Sequence, residues 1–270
     1  MPELNKDTRL CMSLSGRPGN FGTRFHNFLY DALGLNFVYK AFSTSDLPGA
    51  IAGVRALGIR GCAVSMPFKE AVIPLLDELD ASAQAIESVN TIVNTDGYLK
   101  AFNTDYSAVQ QLIQEHGLSA ASSVALRGSG GMGKAVASAF HDAGFQRGTV
   151  IARNEQAGRE LAEKLGWAWT PEVTGADILV NVTPIGMSGG AEASELAFSP
   201  TLIERAHTVF DVVALPPETP LLVEARRQGK PVVTGLEVIA RQALEQFVLY
   251  TGVKPSDEQV QAAIHHAQKG

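Results

Sequence analysis

The first hundred residues alternate short apolar runs with amphipathic stretches. Apolar runs bounded by Gly, Pro or Asn are typical of strands, whereas apolar positions three and four apart are typical of helices. The pattern predicts strands at residues 10–14, 36–42 and 58–66, helices at residues 24–33 and 47–57, and a further helix that Pro67 opens. Strands that alternate with helices indicate a parallel sheet with crossover helices.

The pattern changes between Ile86 and Asp105, where two apolar runs flank the dipeptide Asp96-Gly97. Asp-Gly between apolar runs is a strong signal for a β-hairpin. A helix is predicted from Tyr106 to Gly117. We therefore expect the first domain to end near residues 103–106.

A second series of strands and helices follows, and it has the same alternation. It predicts strands at residues 123–127, 148–152, 176–182, 207–213 and 231–234, and helices at residues 132–143 and 155–165. Residues 186–190 are glycine-rich and predict a mobile loop, residues 235–250 predict a long helix, and Ser256 is expected to cap a last one. The fold class is α/β, with two domains.

A glycine-rich loop, Gly128-Ser129-Gly130-Gly131-Met132-Gly133, follows the first strand of the second series and precedes its first helix. This order is typical of a dinucleotide-binding turn, in which helix N–H groups face a pyrophosphate. Gly128 would permit the turn, Gly130 would let the backbone approach the pyrophosphate, and Gly133 would let the helix pack closely on the strand.

A dinucleotide-binding domain reads the adenosine ribose at the end of its second strand, which here holds Ala152-Arg153-Asn154. An acidic residue there would select NAD, whereas Arg153 permits NADP without requiring it. Glu155 would either repel a 2′-phosphate or simply favour the helix N-terminus. The sequence therefore leaves NAD and NADP both open.

Composition narrows the function classes. The chain has 22 basic and 28 acidic residues and no block of like charge, which disfavours a nucleic-acid or membrane-surface partner. The N-terminus has no apolar leader pattern, so we expect a cytoplasmic protein. Cys11 and Cys62 are expected to be buried thiols, and the spacing of the six histidines predicts no metal site.

Three further motifs, together with the loop, resemble the shikimate dehydrogenase family: residues 64–69 its lysine motif, residues 88–92 its asparagine motif and residues 103–105 its aspartate motif. Residues 235–247 resemble its closing segment. The order and spacing agree along nearly the whole chain, and four weak motifs in register are specific together.

The resemblance implies a substrate-binding domain of residues 1–104 plus 238–270, a Rossmann-type NAD(P)-binding domain of residues 105–237, and hydride transfer between a nicotinamide and the ring hydroxyl of shikimate. It makes Lys69 and Asp105 the catalytic pair. Ser65, Asn90 and Gln242 would hold substrate hydroxyls. The cofactor site would comprise the glycine loop, residues 152–154, Thr183, Val212 and Gly235.

The chemistry is consistent with these residue types, because oxidation of a secondary alcohol needs a partner for the hydroxyl proton and a lysine amine can supply one. Both catalytic candidates also have plain structural interpretations. Lys69 would be an exposed residue on the first turn of a helix, and Asp105 would be the N-cap of a helix beginning at Tyr106.

Four departures from the family pattern affect substrate and cofactor contacts. The serines that bind the substrate carboxylate are replaced by Asn20 and Thr23, or else by Ser13 and Ser15 in a shifted alignment. The second arginine of the phosphate clamp is absent near Ala157, a tyrosine is replaced by Ala214, and the asparagine that opens the lysine motif is Ala63. The changes resemble the shikimate dehydrogenase-like branch.

Quinate or another hydroxylated ring carboxylate is therefore an alternative substrate to shikimate, and NAD is at least as well supported as NADP. Two further hypotheses compete with this one. The chain could be a nicotinamide-binding sensor with little turnover, or a one-carbon dehydrogenase that acts on a folate. Lys69 and Asp105 argue against the sensor, and Asn90 and Asp105 suit a polyol better than a folate.

Overall fold

A computed structural model describes residues 4–84 and 86–269, and within them the chain divides into two units. Unit 1 comprises the described part of residues 1–104 and 240–270, and unit 2 comprises residues 105–239. The divisions fall inside two helices, which span Thr104–Glu115 and Gly235–Thr251. The sequence predicted the second division at residue 238.

Unit 1 is built on a mixed sheet. Its elements are β1 (Arg9–Leu14), α1 (Phe21–Ala32), β2 (Phe37–Phe42), α2 (Leu47–Ala56), β3 (Gly61–Val64), β4 (Glu78–Leu79), α3 (Ala81–Gln84), β5 (Thr91–Thr95), β6 (Tyr98–Phe102), the start of α4 (Thr104–Glu115), most of α9 (Gly235–Thr251) and α10 (Asp257–Gln268). In the described residues the strand order is β2-β1-β3-β5-β6-β4. The predicted parallel arrangement is confirmed for β1, β2 and β3, whereas β5 runs antiparallel to β3.

The predicted hairpin is confirmed. Strands β5 and β6 pair antiparallel, with Thr95 opposite Tyr98, and the two turn residues have φ angles of 53° at Asp96 and 88° at Gly97. Positive φ at both central residues is what a two-residue hairpin turn of type I′ requires. Apolar side chains fill both faces of the sheet, with Ile51 and Val54 of α2 on one face and Phe25 and Phe247 on the other.

One predicted element of unit 1 is wrong. Residues 65–72 form successive turns rather than a helix that Pro67 opens, and a short 3₁₀ helix spans Ile73–Leu75. The Phe68 N–H donates to the Ser65 carbonyl at 2.9 Å, which closes a turn around Pro67. A serine two residues before a proline, as at Ser65 and Pro67, suits either a helix start or a turn, so the local sequence does not distinguish them.

Unit 2 has a parallel sheet of the Rossmann type. Its elements are the rest of α4, then β7 (Val124–Arg127), α5 (Gly131–Asp142), β8 (Gly148–Ile151), α6 (Glu155–Leu165), β9 (Ala168–Thr170), β10 (Ile178–Asn181), α7 (Pro200–Arg205), β11 (Thr208–Asp211), α8 (Pro220–Arg227), β12 (Val232–Val233) and the first turn of α9. In the described residues the strand order is β12-β11-β10-β7-β8-β9. If β7 is numbered 1 and the strands are read from β9 to β12, the order is 3-2-1-4-5-6, which is the order of doubly wound dinucleotide-binding folds.

Both faces of this sheet are covered, by Phe140 and Leu161 on one side and by Ile203 and Leu221 on the other. Three short elements, β9, α7 and α8, were not predicted from the sequence. Within the described residues, no helix is long and apolar enough to cross a membrane.

Candidate active site

The lysine and asparagine motifs are joined by backbone hydrogen bonds at one edge of the unit 1 sheet. The Ser65 N–H donates to the Leu14 carbonyl at 2.9 Å, and the Val64 N–H donates to the Asn90 carbonyl at 2.7 Å. Parallel strands β1 and β3 both end here, so the polar residues that follow them are brought to the same edge. Ser65 is exposed, and Asn90 is only 2% exposed.

Lys69 belongs to the same edge through its backbone. Its carbonyl accepts a hydrogen bond from the Val89 N–H at 2.8 Å, which anchors the lysine turn one residue before Asn90. Lys69 lies in a turn and is half-buried, so its structural interpretation as an exposed residue on the first turn of a helix is wrong.

The side-chain amide of Asn90 has a fixed orientation. Its Oδ1 accepts from the Thr104 N–H at 2.8 Å and from the Thr91 hydroxyl at 2.8 Å. A backbone N–H can only donate, so the oxygen must face Thr104 and the nitrogen must point the other way. Nδ2 is buried and has no hydrogen-bond partner among the described residues. Two N–H donors are thus held ready for an acceptor.

Asp105 follows Thr104 directly and is the second residue of α4, with 1% of its surface exposed. The helix begins at Thr104, so the interpretation of Asp105 as the N-cap of a helix that starts at Tyr106 is wrong. A carboxylate in the first turn interacts favourably with the positive end of the helix dipole.

Gln242 lies on α9 and is half-buried. One turn further along, the buried Gln246 donates from Nε2 to the Thr91 hydroxyl at 2.9 Å and to the Asn90 carbonyl at 3.3 Å. Gln246 therefore holds the backbone and hydroxyl of the asparagine motif in place, and it was not predicted from the sequence. Its spacing of four residues from Gln242, on the same helix face, was the available signal.

Asn20 and Thr23 lie at the start of α1. Asn20 precedes the helix and is exposed, while the Thr23 hydroxyl is buried with no hydrogen-bond partner in the described part of the chain. The alternative residue Ser13 forms a side-chain hydrogen bond with Tyr39, whose pKa burial raises. A helix N-terminus with an available hydroxyl suits an anion, so the geometry favours Asn20 and Thr23 over Ser13 and Ser15 for a carboxylate.

The glycine loop of unit 2 has the backbone that its pattern predicted. Gly128 has a φ of 123°, and a Cβ on Gly133 would lie 2.7 Å from the Gly128 carbonyl oxygen. A Cβ on Gly130 would meet no other heavy atom of the described residues within 4 Å. The loop therefore needs Gly128 and Gly133 for its own fold, whereas at Gly130 it leaves open space at the N-terminus of α5, as a bound pyrophosphate requires. The remaining loop residues, Ser129, Gly131 and Met132, complete this cradle.

The tip of the second strand carries Ala152, Arg153 and Asn154. Ala152 is buried, and the Asn154 side chain caps α6 by accepting from the Ala157 N–H at 3.1 Å. Arg153 is exposed on 83% of its side chain. Glu155 forms an ion pair with Arg159 at 2.8 Å, so its charge is already balanced within α6.

The tips of β10 and β11 share a buried polar network. The Thr183 hydroxyl donates to Asn181 Oδ1 at 2.6 Å, Asn181 Nδ2 donates to Asp211 at 3.0 Å, and the Thr219 hydroxyl donates to Asp211 at 2.6 Å. Burial raises the pKa of Asp211 to about 6. The network fixes the turn at Thr183, a predicted cofactor residue, and the sequence analysis gave no role to Asp211.

Gly235 begins α9 beside the strand that ends at Asp211. A Cβ there would lie 2.3 Å from the Val213 carbonyl oxygen and 2.6 Å from the Val212 carbonyl oxygen. Only glycine fits so close to another backbone segment. Val212 and Gly235, both predicted to contact the cofactor, are therefore neighbours at the carboxyl edge of the unit 2 sheet.

Comparisons with known proteins show the family of the chain. The family described as "Shikimate dehydrogenase substrate binding domain" matches residues 21–92. A shikimate dehydrogenase-like protein of Haemophilus influenzae is 57% identical over 267 residues, 98% of each chain.

Two solved structures share the fold. Shikimate 5-dehydrogenase from Thermus thermophilus, in complex with NADP(H) and shikimate, is 32% identical with a TM-score of 0.85, covering 96% of this chain and 99% of its own. Quinate dehydrogenase from Corynebacterium glutamicum, in complex with NAD, is 28% identical with a TM-score of 0.86, covering 96% and 98%. The chain therefore belongs to the shikimate dehydrogenase family.

Proposed function

We propose that the chain is an NAD(P)-dependent oxidoreductase that transfers a hydride between the nicotinamide and the ring hydroxyl of shikimate or of a related hydroxylated ring carboxylate such as quinate. Family relatives supply the reaction class: one solved relative carries NADP(H) and shikimate, and another is a quinate dehydrogenase with NAD. Unit 1 would bind the ring acid and unit 2 the dinucleotide, with the domain limits predicted from the sequence.

The observation that carries the proposal is the Asn90 amide. A buried amide nitrogen without a partner costs free energy, unless a ligand supplies the acceptor. Asn90 lies at the same sheet edge as Ser65 and the Lys69 turn, and its orientation is fixed by the Thr104 N–H. A ring hydroxyl oxygen is the acceptor that such a donor suits.

The other residues receive roles that match their chemistry. Lys69 exchanges the hydroxyl proton and Asp105 acts with it, as paired acid–base groups do in alcohol oxidation. Ser65 and Gln242 contribute further hydrogen bonds to substrate hydroxyls. Asn20 and Thr23 hold the carboxylate at the N-terminus of α1, in place of the family's two serines.

The dinucleotide, when bound, accepts or donates the hydride. The glycine loop would hold its pyrophosphate, since the space at Gly130 is open and α5 begins there. Arg153 would lie at the adenosine ribose, and Thr183, Val212 and Gly235 would line the nicotinamide half. The proposed location is the cytoplasm, and the proposed partner is the small-molecule ring acid.

The first experiment is an absorbance assay at the reduced nicotinamide band, with shikimate and quinate each tested against NAD and NADP at alkaline pH. We expect turnover with at least one combination. Lys69→Ala should abolish this turnover while dinucleotide affinity stays within about two-fold of wild type, because the lysine acts on the substrate proton. Lys254→Ala removes an exposed lysine between α9 and α10 and is the matched control.

Substantial turnover by Lys69→Ala would remove the lysine from the mechanism. Dinucleotide binding without turnover on any ring acid would instead favour the sensor hypothesis. Turnover on a folate and on none of the ring acids would favour the one-carbon dehydrogenase.

A further inference from the structure

Arg153 has an acidic neighbour that lies far from it in the sequence. Glu192, in the segment between β10 and α7, places its Oε1 3.8 Å from Arg153 Nη1. Arg153 is the cation at the tip of the second strand, where a dinucleotide-binding domain reads the adenosine ribose. The only cation of residues 152–154 therefore already has a carboxylate partner from another part of unit 2.

The segment that carries Glu192 is held in place by its backbone. The Glu192 carbonyl accepts hydrogen bonds from the Gly186 N–H at 2.9 Å and the Glu195 N–H at 3.1 Å. The Arg127 guanidinium, at the end of β7, donates to the Ala197 carbonyl. These bonds fix the turn near the tip of β7, so the Glu192 carboxylate projects from an ordered backbone.

Charges around the strand tips are coupled. Burial lowers the pKa of Arg127; the charges of Glu192 and Glu195 oppose this shift, and the charge of Arg153 adds to it. The charges of Glu192 and Arg153 therefore both act on the Arg127 guanidinium. A phosphate that enters this group must interact with Glu192 as well as with the two arginines.

Glu155, the acidic residue that the sequence suggested as a repulsive group, is differently engaged. Its carboxylate pairs with Arg159, and the Arg159 guanidinium lies 4.3 Å from the centre of the Trp169 ring. That arrangement also engages Arg159, the single arginine of α6. Glu192 is thus the acidic side chain that pairs with Arg153.

We propose that Glu192 determines cofactor specificity by competing with a 2′-phosphate for Arg153, so that it favours NAD over NADP. This inference rests on the proposed function. A phosphate monoester carries a charge of about −1.5 to −2 near neutral pH. To bind it, Arg153 must release Glu192, which is then left as an unpaired negative charge beside the phosphate. The uncharged ribose hydroxyls of NAD incur neither cost.

The test compares Glu192→Gln with wild type by isothermal titration with NAD and with NADP, which needs no turnover. Exposed ion pairs contribute up to about 1 kcal/mol, so the Kd for NADP should fall by about five-fold. The Kd for NAD should stay within about two-fold of the wild-type value. Glu163→Gln, an exposed glutamate of α6, is the matched control and should change neither.

The second arm repeats the measurement in an Arg153→Gln background. If Glu192 acts through Arg153, the five-fold gain should shrink markedly there, as a double-mutant cycle requires of coupled residues. An undiminished gain, an equal change for both dinucleotides, or no change at all would overturn the inference while leaving the proposed function intact. Failure of the wild-type chain to bind either dinucleotide would overturn both.

Discussion

Asp211 offers a sharp test of the buried network at the tips of β10 and β11. The side chain is fully buried, and burial raises the pKa of its carboxyl from 3.8 to about 6, against hydrogen bonds from Thr219, Val213 and Asn181. Each pKa unit corresponds to about 1.4 kcal/mol, so the ionised carboxylate costs the folded state about 3 kcal/mol relative to the unfolded chain.

The direction of the pH effect follows from this difference. The folded pKa lies above the unfolded value, so Asp211 lowers the free energy of unfolding as pH rises from about 4 to about 6, and no further beyond that. Asp211→Asn cannot ionise. Its amide oxygen can still accept from Val213 and Asn181, and its nitrogen can donate to the Thr219 hydroxyl. The stability of the variant relative to wild type should therefore rise by about 3 kcal/mol between pH 4 and pH 7.

The assay is urea unfolding at several pH values, followed by tryptophan fluorescence. The two tryptophans of the chain, Trp167 and Trp169, both lie in unit 2, so the signal reports the unit that contains Asp211. A constant stability difference between variant and wild type from pH 4 to pH 7 would refute the argument.

Asp177→Asn is a control with the opposite sign. Hydrogen bonds from the Ser123 N–H and hydroxyl, both 2.8 Å, hold the pKa of Asp177 below its usual value. The ionised Asp177 therefore stabilises unit 2 above pH 4, and that contribution is lost as pH falls through the lowered pKa. Asp177→Asn should be less stable than wild type at pH 7, and the deficit should shrink under acid conditions.

Three further predictions concern backbone fit, dinucleotide binding and a buried imidazole. Gly133→Ala should destabilise unit 2 by about 1–3 kcal/mol, because its Cβ meets the Gly128 carbonyl at 2.7 Å. Gly130 has a φ of −76° and open space where a Cβ would lie, so Gly130→Ala should unfold at the wild-type urea concentration when followed by tryptophan fluorescence. The added methyl group would occupy the space for the pyrophosphate, so titration calorimetry should show NAD binding about ten-fold more weakly or worse. Equal affinities of variant and wild type for NAD would contradict the role of Gly130. The His26 ring stacks on the Tyr39 ring at 4.4 Å, and burial lowers the pKa of His26 from 6.5 to about 3. Below pH 6.5 the unfolded chain takes up a proton that the folded chain does not, so unit 1 should lose up to about 5 kcal/mol of stability. His26→Phe should lack this loss when unfolding at acid pH is followed by near-ultraviolet circular dichroism. A variant as sensitive to acid as wild type would show that His26 is not the cause of the loss.

Much of the fold was predictable from local pattern. The strand, glycine turn and helix at residues 123–143, the Asp96-Gly97 hairpin and the capped last helix can all be recognised from residues close in sequence. Steric limits on φ, side-chain caps and apolar periodicity act over a few residues, so a sequence alone can determine them. The same locality explains the wrong helix at Pro67, since the local signals there fit a turn equally well.

The chemistry of the candidate site was only partly local. Motif order predicted Lys69, Asn90 and Asp105 as site residues. The orientation of the Asn90 amide is set by Thr104, fourteen residues later, which donates to its oxygen and leaves Nδ2 without a partner among the described residues. Likewise, Glu192 lies near Arg153 because β8 and β10 flank β7 in the sheet, so the segments that follow these two strands leave the sheet on either side of the same strand. Sequence patterns determine which residue types are available and where elements begin. Burial, hydrogen-bond saturation and charge pairing depend on distances between remote residues, and only the tertiary structure sets those distances.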